Sequence, residues 1–547
     1  MEKFTYFHCY AEDLWEGYEK NGLLRDNFGI RFMQCIRLPE ELKFNEYAKK
    51  GGKLYNFIKE HNCAFYIDRL QGGTFLEEYD FDTDLIDEYK QLLGDKFLGF
   101  QMHEWLSNYK TEIHWKLTDL PEEKWTKENI EKFINEKFPL PWLFLEPMTL
   151  DELAYYGKPK TPQEFYNNMT DVYRKRAEKY PLVPCSSWYM MYPFEAENGA
   201  KVIMPEVGWQ IPGMRVQMCY ARGVCSAYGI TLGAYYEPWG GEPFTTCSYS
   251  DDGKNEWLNK GSKSFPFVPG GPNGGSSRSM QWRVHLYAYL SGAKMISEEW
   301  GGYNTFKNRE TYELSEYGLV KKRFLDFVDK YSDIGEKLAP IAAVVSNDLL
   351  CYTTSWNLEN DSKELFGYKL EGEALENNRK LLFAVDKIFG RNVPMYGNET
   401  LTLVNSTVPD GVDMLNEGDG KALSKYRYLV NLTGDAFFKD KYANCISPEE
   451  VSEKLDELLP CKVTGGLHYL VNRRGKEGYY LAIFNHSGVV RTQKKGDEIL
   501  PEATVTVTVE LKDSRALKAL EGSKEIIFKD GKYYVTVSGG DWFFAEF

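Results

Sequence analysis

The chain has 547 residues, more than one hydrophobic core holds, so about two to four domains are expected. Its formal net charge of −15 excludes a general electrostatic field for DNA, RNA or an anionic membrane, which all want a basic face. Hydrophobic residues at 43% and charged residues at 27% are the balance of a soluble globular protein, and no apolar run reaches the length of a membrane span.

In chain order, short apolar runs alternate with helical stretches up to about residue 335. The runs are FTYFHCY (4–10), GIRFMQCI (29–36), CAFYIDRL (63–70), FLGFQMHEW (97–105), PWLFLEP (141–147), PCSSWYMMYPF (184–194), TLGAYYEPWGG (231–241) and AKMISEEWGG (293–302). Strand–helix alternation means a parallel sheet, and eight units in about 300 residues predict a (β/α)8 TIM barrel over 1–335. A doubly wound open sheet is the runner-up, weakened because no glycine-rich phosphate fingerprint follows the first strand. In this count KVIMPE belongs to a long loop after strand six. In a second count GFQMHEW is strand three, PWLFLEP strand four, and Val202–Glu206 a strand.

From 336 to 462 the alternation restarts, with APIAAVVSN and YRYLVNLTG as buried strands and SPEEVSEKLDELL as a Ser-capped helix. This predicts a small open α/β domain of flavodoxin/amidotransferase type. From 463 to 547, period-two runs broken by Gly and Asp-Gly turns predict an antiparallel β-sandwich.

A barrel of this kind carries its active site at the C-terminal ends of its strands. Those ends here are crowded with carboxylates and rings: Asp68-Arg69, His103-Glu104-Trp105, Glu146, Tyr236-Glu237-Pro238-Trp239 and Glu298-Glu299-Trp300. Paired carboxylates beside stacking aromatics suit glycosidic bond cleavage. One protonates the leaving oxygen, and the other attacks the anomeric carbon or activates water there. Glu298 and Glu299 are neighbours on a strand, so only one faces the pocket. Glu206, in the expected loop, is a weaker pocket candidate, and the Gly/Ser/Pro-rich loop 240–278 is long enough for a lid. No Gly-x-Ser-x-Gly elbow occurs and the seven histidines make no metal motif, so neither a metal nor another cofactor is expected.

Three of these stretches resemble the (β/α)8 glycoside hydrolases of clan A, most closely the family 42 β-galactosidase type. GFQMHEW resembles that family's fourth strand, and GAYYEPWGG the strand that carries its nucleophile. QWRVHLYAYLSGAKMI (281–296) resembles its helix into strand eight. The resemblance implies a retaining hydrolase of β-linked sugars with Glu104 as acid/base and Glu237 as nucleophile. His103 stands where the family has an asparagine that holds the sugar 2-hydroxyl. His103, Trp105, Asp68, Arg69, Glu146, Tyr236, Trp239, Glu299 and Trp300 are then expected around an oligosaccharide or glycoside substrate. An inverting endo-hydrolase using Glu146 with Glu237, and a carbohydrate-binding protein on a hydrolase scaffold, stay open beside it. In the resembled family the small α/β domain serves oligomer contacts, which implies a homo-oligomer. The ten scattered cysteines form no Cys-x-x-Cys pair and the N-terminus has no signal-peptide pattern, so a cytoplasmic location is expected.

Overall fold

The computed structural model describes residues 3–9, 12–33, 44–68, 83–103, 128, 161–186, 190–208, 213–237, 260–262, 265–267, 277–299, 301–347, 364–365, 368–369, 371–389, 403–476, 478–492 and 496–547. Eight parallel strands close into a barrel: β1 Thr5–Cys9, β2 Phe28–Met33, β3 Ala64–Asp68, β4 Phe97–His103, β5 Leu182–Ser186, β6 Val202–Gly208, β7 Thr231–Glu237 and β8 Met295–Glu298. The circular order β1–β8–β7–β6–β5–β4–β3–β2 is that of a (β/α)8 barrel. The crossovers are helices α1 Glu12–Lys20, α2 Lys53–His61, α3 Thr83–Leu93, α4 Pro162–Lys179, α5 Tyr192–Glu197, α6 Met214–Tyr228, α7 Arg278–Leu290 and α8 Glu316–Lys330.

Two strands of the expected count are corrected. β4 pairs directly with β5, Phe100 opposite Leu182 and His103 opposite Cys185, so PWLFLEP is not the barrel's fifth strand; it lies outside the described residues. The run at 184–194 splits into β5 and the six-residue helix α5, and KVIMPE is strand six rather than loop. The reason is that β6 is buried along its whole length. A parallel strand covered on both faces shows no alternation, and a crossover this short shows no helical period.

Strand alternation divides the side chains between two cores. Phe7, Ala64, Tyr66, Val183, Val202, Met204, Tyr235 and Met295 fill the barrel interior. The Tyr66 hydroxyl spans that interior to donate to Ser297 Oγ at 2.8 Å. Tyr6, Ile203, Val207, Ala234, Tyr236 and Ile296 face the helix layer instead. Serine N-caps start the last two helices: Ser277 Oγ accepts from the Met280 N–H at 2.8 Å, and Ser315 Oγ from the Gly318 N–H at 3.1 Å.

Beyond the barrel, four parallel strands stand in the order Val412–Asn416, Ile341–Val345, Tyr428–Leu432, Cys445–Ile446, an open α/β sheet. The helix after Ser447 opens with the expected capping box, the Ser447 N–H donating to Glu450 Oε2 at 2.7 Å. Two antiparallel sheets follow as the C-terminal β-sandwich. One of them takes in Glu336–Lys337, which pairs with Asn472 and Arg473. The barrel grips the middle sheet through α6. The Tyr220 hydroxyl donates to Asn416 Oδ1 at 2.8 Å, and Arg222 Nε to Asp413 Oδ1 at 2.6 Å.

Candidate active site

Glu206, Glu237 and Glu299 come from the C-terminal ends of three consecutive strands. Glu206 lies two residues before the end of β6, Glu237 ends β7, and Glu299 follows β8. The strand register sets Gly208 beside Glu237 and Glu206 beside Tyr235. One carboxylate oxygen from each of the three lies within 4.8 Å of the other two, and all three side chains are buried. Carboxylates this close and this dry need a shared proton or a compensating cation, because desolvation and mutual repulsion both disfavour the fully ionised state.

The local sequence explains the gathering. Residues i and i+2 share a strand face, so Tyr235 and Glu237 turn inward together, as do Met204 and Glu206. Gly208 permits the close approach of β6 and β7. Its φ is +128°, and a Cβ there would stand 2.4 Å from the Glu237 carbonyl oxygen. Gly208→Ala is therefore expected to push the strand ends apart. Activity should fall roughly tenfold to a hundredfold, because reacting groups tolerate little displacement; steady-state kinetics on the purified variant checks it.

Arg31 is a buried cation of the barrel interior. Its guanidinium carbon lies 5.0 Å from the Tyr235 ring centroid, and Nη1 donates to the Glu298 carbonyl oxygen. Glu298 itself turns to the helix side. Its Oε2 pairs with Lys321 Nζ at 2.7 Å and its Oε1 with His285 Nε2 at 3.2 Å. Burial alone would raise its pKa. The Lys321 charge and the hydrogen bonds from His285 and Lys321 win, and hold it well below the usual carboxylate range. Glu299 is thus the member of the pair that joins the pocket carboxylates.

The other expected site residues divide as follows. Asp68 and His103 are the last residues of β3 and β4. Arg69, Glu104, Trp105, Glu146, Trp239 and Trp300 lie outside the described residues, as does most of the loop 240–278. Tyr236, expected as a sugar contact, is corrected: it packs edge-on against His285 on α7, centroids 4.8 Å apart, and Tyr235 takes the inward position. Sequence reasoning missed Arg31, although a lone charge in GIRFM on the face of Gly29 was a signal. It also left Glu206 in a loop, although VIMPEVG holds one carboxylate in an otherwise apolar run.

No protein-family model matches the chain, and no curated protein matches it in sequence. Among solved structures, it is similar to alpha-L-fucosidase isoenzyme 2 from Paenibacillus thiaminolyticus at 12% identity and a TM-score of 0.39, covering 100% of this chain and 99% of that one. It is similar to the polyextremophilic beta-galactosidase from the Antarctic haloarchaeon Halorubrum lacusprofundi at 11% identity and a TM-score of 0.42, covering 99% of each chain. The exo-beta-1,4-mannosidase Op5Man5 from Opitutaceae bacterium strain TAV5 follows at 9% identity and a TM-score of 0.36, with 92% and 89% covered.

Proposed function

We propose that the protein is a retaining glycoside hydrolase of β-linked sugars, with β-galactosides as the preferred class. The observation that carries the reading is the buried Glu237 at the C-terminal end of β7, in a group with Glu206 and Glu299. In the first half-reaction a Glu237 carboxylate oxygen attacks the anomeric carbon, and Glu104, next in sequence after the end of β4, gives its proton to the departing oxygen. In the second, Glu104 takes a proton from water, whose oxygen displaces Glu237 from the sugar. Trp105, Trp239 and Trp300 are the stacking rings for sugar faces in this reading, and His103 is the donor to the 2-hydroxyl.

The barrel is the catalytic domain in this reading, the small α/β domain serves self-association, and the enzyme works in the cytoplasm. Six cysteines among the described residues are free, and five of them are buried, which suits a reducing compartment. Among the described residues no helix is long and apolar enough to cross a membrane.

The test is a panel of aryl β-galactoside, β-glucoside, β-mannoside and β-fucoside, with the first-formed anomer read by proton NMR. The β-galactoside is expected to give the highest kcat/KM, with the β-anomer appearing first. An α-anomer appearing first rules out double displacement. A second arm tests the donor set, because three carboxylates also suit a hard divalent cation. EDTA is expected to leave the rate unchanged; loss restored by a divalent cation would reassign the group to metal binding.

A further inference from the structure

Behind the carboxylate group, on the helix side of β8, stands a second buried ionisable cluster for which the reaction above has no use. Its members come from four elements: Tyr6 on β1, Glu298 on β8, His285 on α7 and Lys321 on α8. None is more than 5% exposed. Lys321 Nζ reaches Glu298 Oε2 at 2.7 Å and donates to Thr305 Oγ1 at 2.7 Å. Lys321 Nζ also lies over the Tyr6 ring, 5.6 Å from its centroid. The backbone leaves room for this: a Cβ on Gly301 would stand 3.0 Å from Glu298 Oε2.

The hydrogen bonds of His285 assign its charge. Nδ1 lies 2.8 Å from the Gln281 carbonyl oxygen, and Nε2 lies 3.2 Å from Glu298 Oε1. A carbonyl and an ionised carboxylate only accept, so both ring nitrogens donate and the ring is an imidazolium. Two cations, Lys321 and His285, thus face the single anion Glu298, which leaves the cluster with one net positive charge. A burial this deep for an uncompensated cation is costly. The anions available to offset it are the pocket carboxylates across the strand, and Glu299 is the residue next to Glu298.

We propose that Glu298, Lys321 and His285 are positioning residues for the pocket: they aim Glu299 inward and supply the net positive charge that lets the Glu206–Glu237–Glu299 group ionise. The role in catalysis rests on the glycosidase reading; the electrostatic role does not. The other ionisable groups facing the cluster are Tyr18, Tyr236, His8 and Arg25. Burial and then the Lys321 charge push His8 down to about 3, so it stays neutral across the working range. Tyr6 is raised by burial and by Glu298 and stays neutral as well. Arg31 contributes a constant positive charge from the interior, through the Glu298 carbonyl.

The experiment compares full-length wild type with Lys321→Met, His285→Gln, Lys321→Arg and Glu298→Gln. The acid limb of kcat/KM against pH is measured beside a pH titration of 13C-glutamate carboxylates by difference infrared spectroscopy. Removing either cation is expected to move both curves upward by about one pH unit. Lys321→Arg keeps the charge and is expected to hold the wild-type limb. Glu298→Gln removes an anion and is expected not to move it upward. A purely structural role would lower thermal stability in every variant without sorting the titrations by the sign of the charge removed. His285→Gln leaves the Lys321 site filled, so the comparison survives if Lys321→Met does not fold. Titrations unmoved in the cation-removing variants, or moved upward in Glu298→Gln too, overturn the proposal. A wild type inactive on every glycoside, with infrared curves that shift as stated, removes the glycosidase reading and leaves the electrostatic role standing.

Discussion

Glu237→Gly is expected to lower kcat on the best aryl β-glycoside by on the order of 10^4-fold or more, and sodium azide is expected to restore a large part of the loss. The glycine removes the attacking carboxylate and leaves a gap at the end of β7 that a small anion fits. Azide then attacks the anomeric carbon from the vacated side, and the product is an α-glycosyl azide, inverted relative to the substrate. The neighbouring carboxylates sharpen the expectation. Glu206 and Glu299 each bring an oxygen within 4.8 Å of the Glu237 carboxylate, so the variant keeps two of the three pocket carboxylates. Glu299→Gly is expected to give no azide-dependent product at all. Detection of the glycosyl azide by mass spectrometry decides the matter. A Glu237→Gly protein that keeps more than about a tenth of wild-type kcat would take the nucleophile role away from this residue.

Asp410→Asn is expected to destabilise the protein by about 3–5 kcal/mol at neutral pH. Asp410 sits where the barrel helices, the middle sheet and the C-terminal sandwich meet. Its carboxylate takes Lys337 Nζ at 2.9 Å, the Tyr287 hydroxyl at 2.5 Å, His468 Nε2 at 3.0 Å and Arg215 Nε at 3.6 Å, all buried. From His468 the hydrogen bonds continue: Nδ1 meets His486 Nε2 at 2.8 Å, and His486 Nδ1 meets Arg283 Nη1 at 2.8 Å. Read from either end, the donors agree. Arg283 donates to His486, His486 to His468, and His468 to Asp410, with both rings neutral. Removing the one anion leaves Lys337 and Arg215 buried and uncompensated. The denaturant midpoint of the variant, against wild type at pH 7.5, measures the loss.

The same hub sets an acid limit on stability. Burial, and then the Arg215 charge, push His468 down to about 4 despite Asp410; burial and the Arg283 charge hold His486 well below its ordinary value. The unfolded chain therefore binds protons near pH 6.5 that the folded chain refuses. Stability from these two rings is complete above about pH 6.5 and is lost as pH falls from there toward 4, by up to about 1.4 kcal/mol per pH unit for each ring. Burial would raise Asp410, but Lys337, His468 and Arg215 hold it well below the usual range, so its own contribution is lost only at lower pH, below about 3.9. Denaturant midpoints between pH 7.5 and 4.5 check the first part. A His468→Gln/His486→Gln variant with the same pH slope would dissociate the limit from these rings.

Much of the architecture was legible before any coordinates. Alternating apolar and helical runs predicted the closed barrel, the restart of that alternation predicted the middle parallel sheet, and period-two runs predicted the antiparallel end. Ser447 and Glu450 announced a helix start, because a capping box is a local interaction between residues three apart. The sequence by itself also determined that carboxylates end strands seven and eight, since the run lengths place Glu237 and the Glu298–Glu299 pair there. It did not decide which run is strand five or six. A strand buried on both faces carries no period, and only pairing with β5 and β7 identifies Val202–Gly208. Nor did it decide between adjacent residues, Tyr235 or Tyr236, Glu298 or Glu299, because inward and outward positions are set by register with neighbouring strands. Arg31, Glu206 and the Asp410 hub were settled by the tertiary structure alone. Their partners lie far apart in the chain, and a buried charge shows its purpose only when the opposite charge is seen beside it.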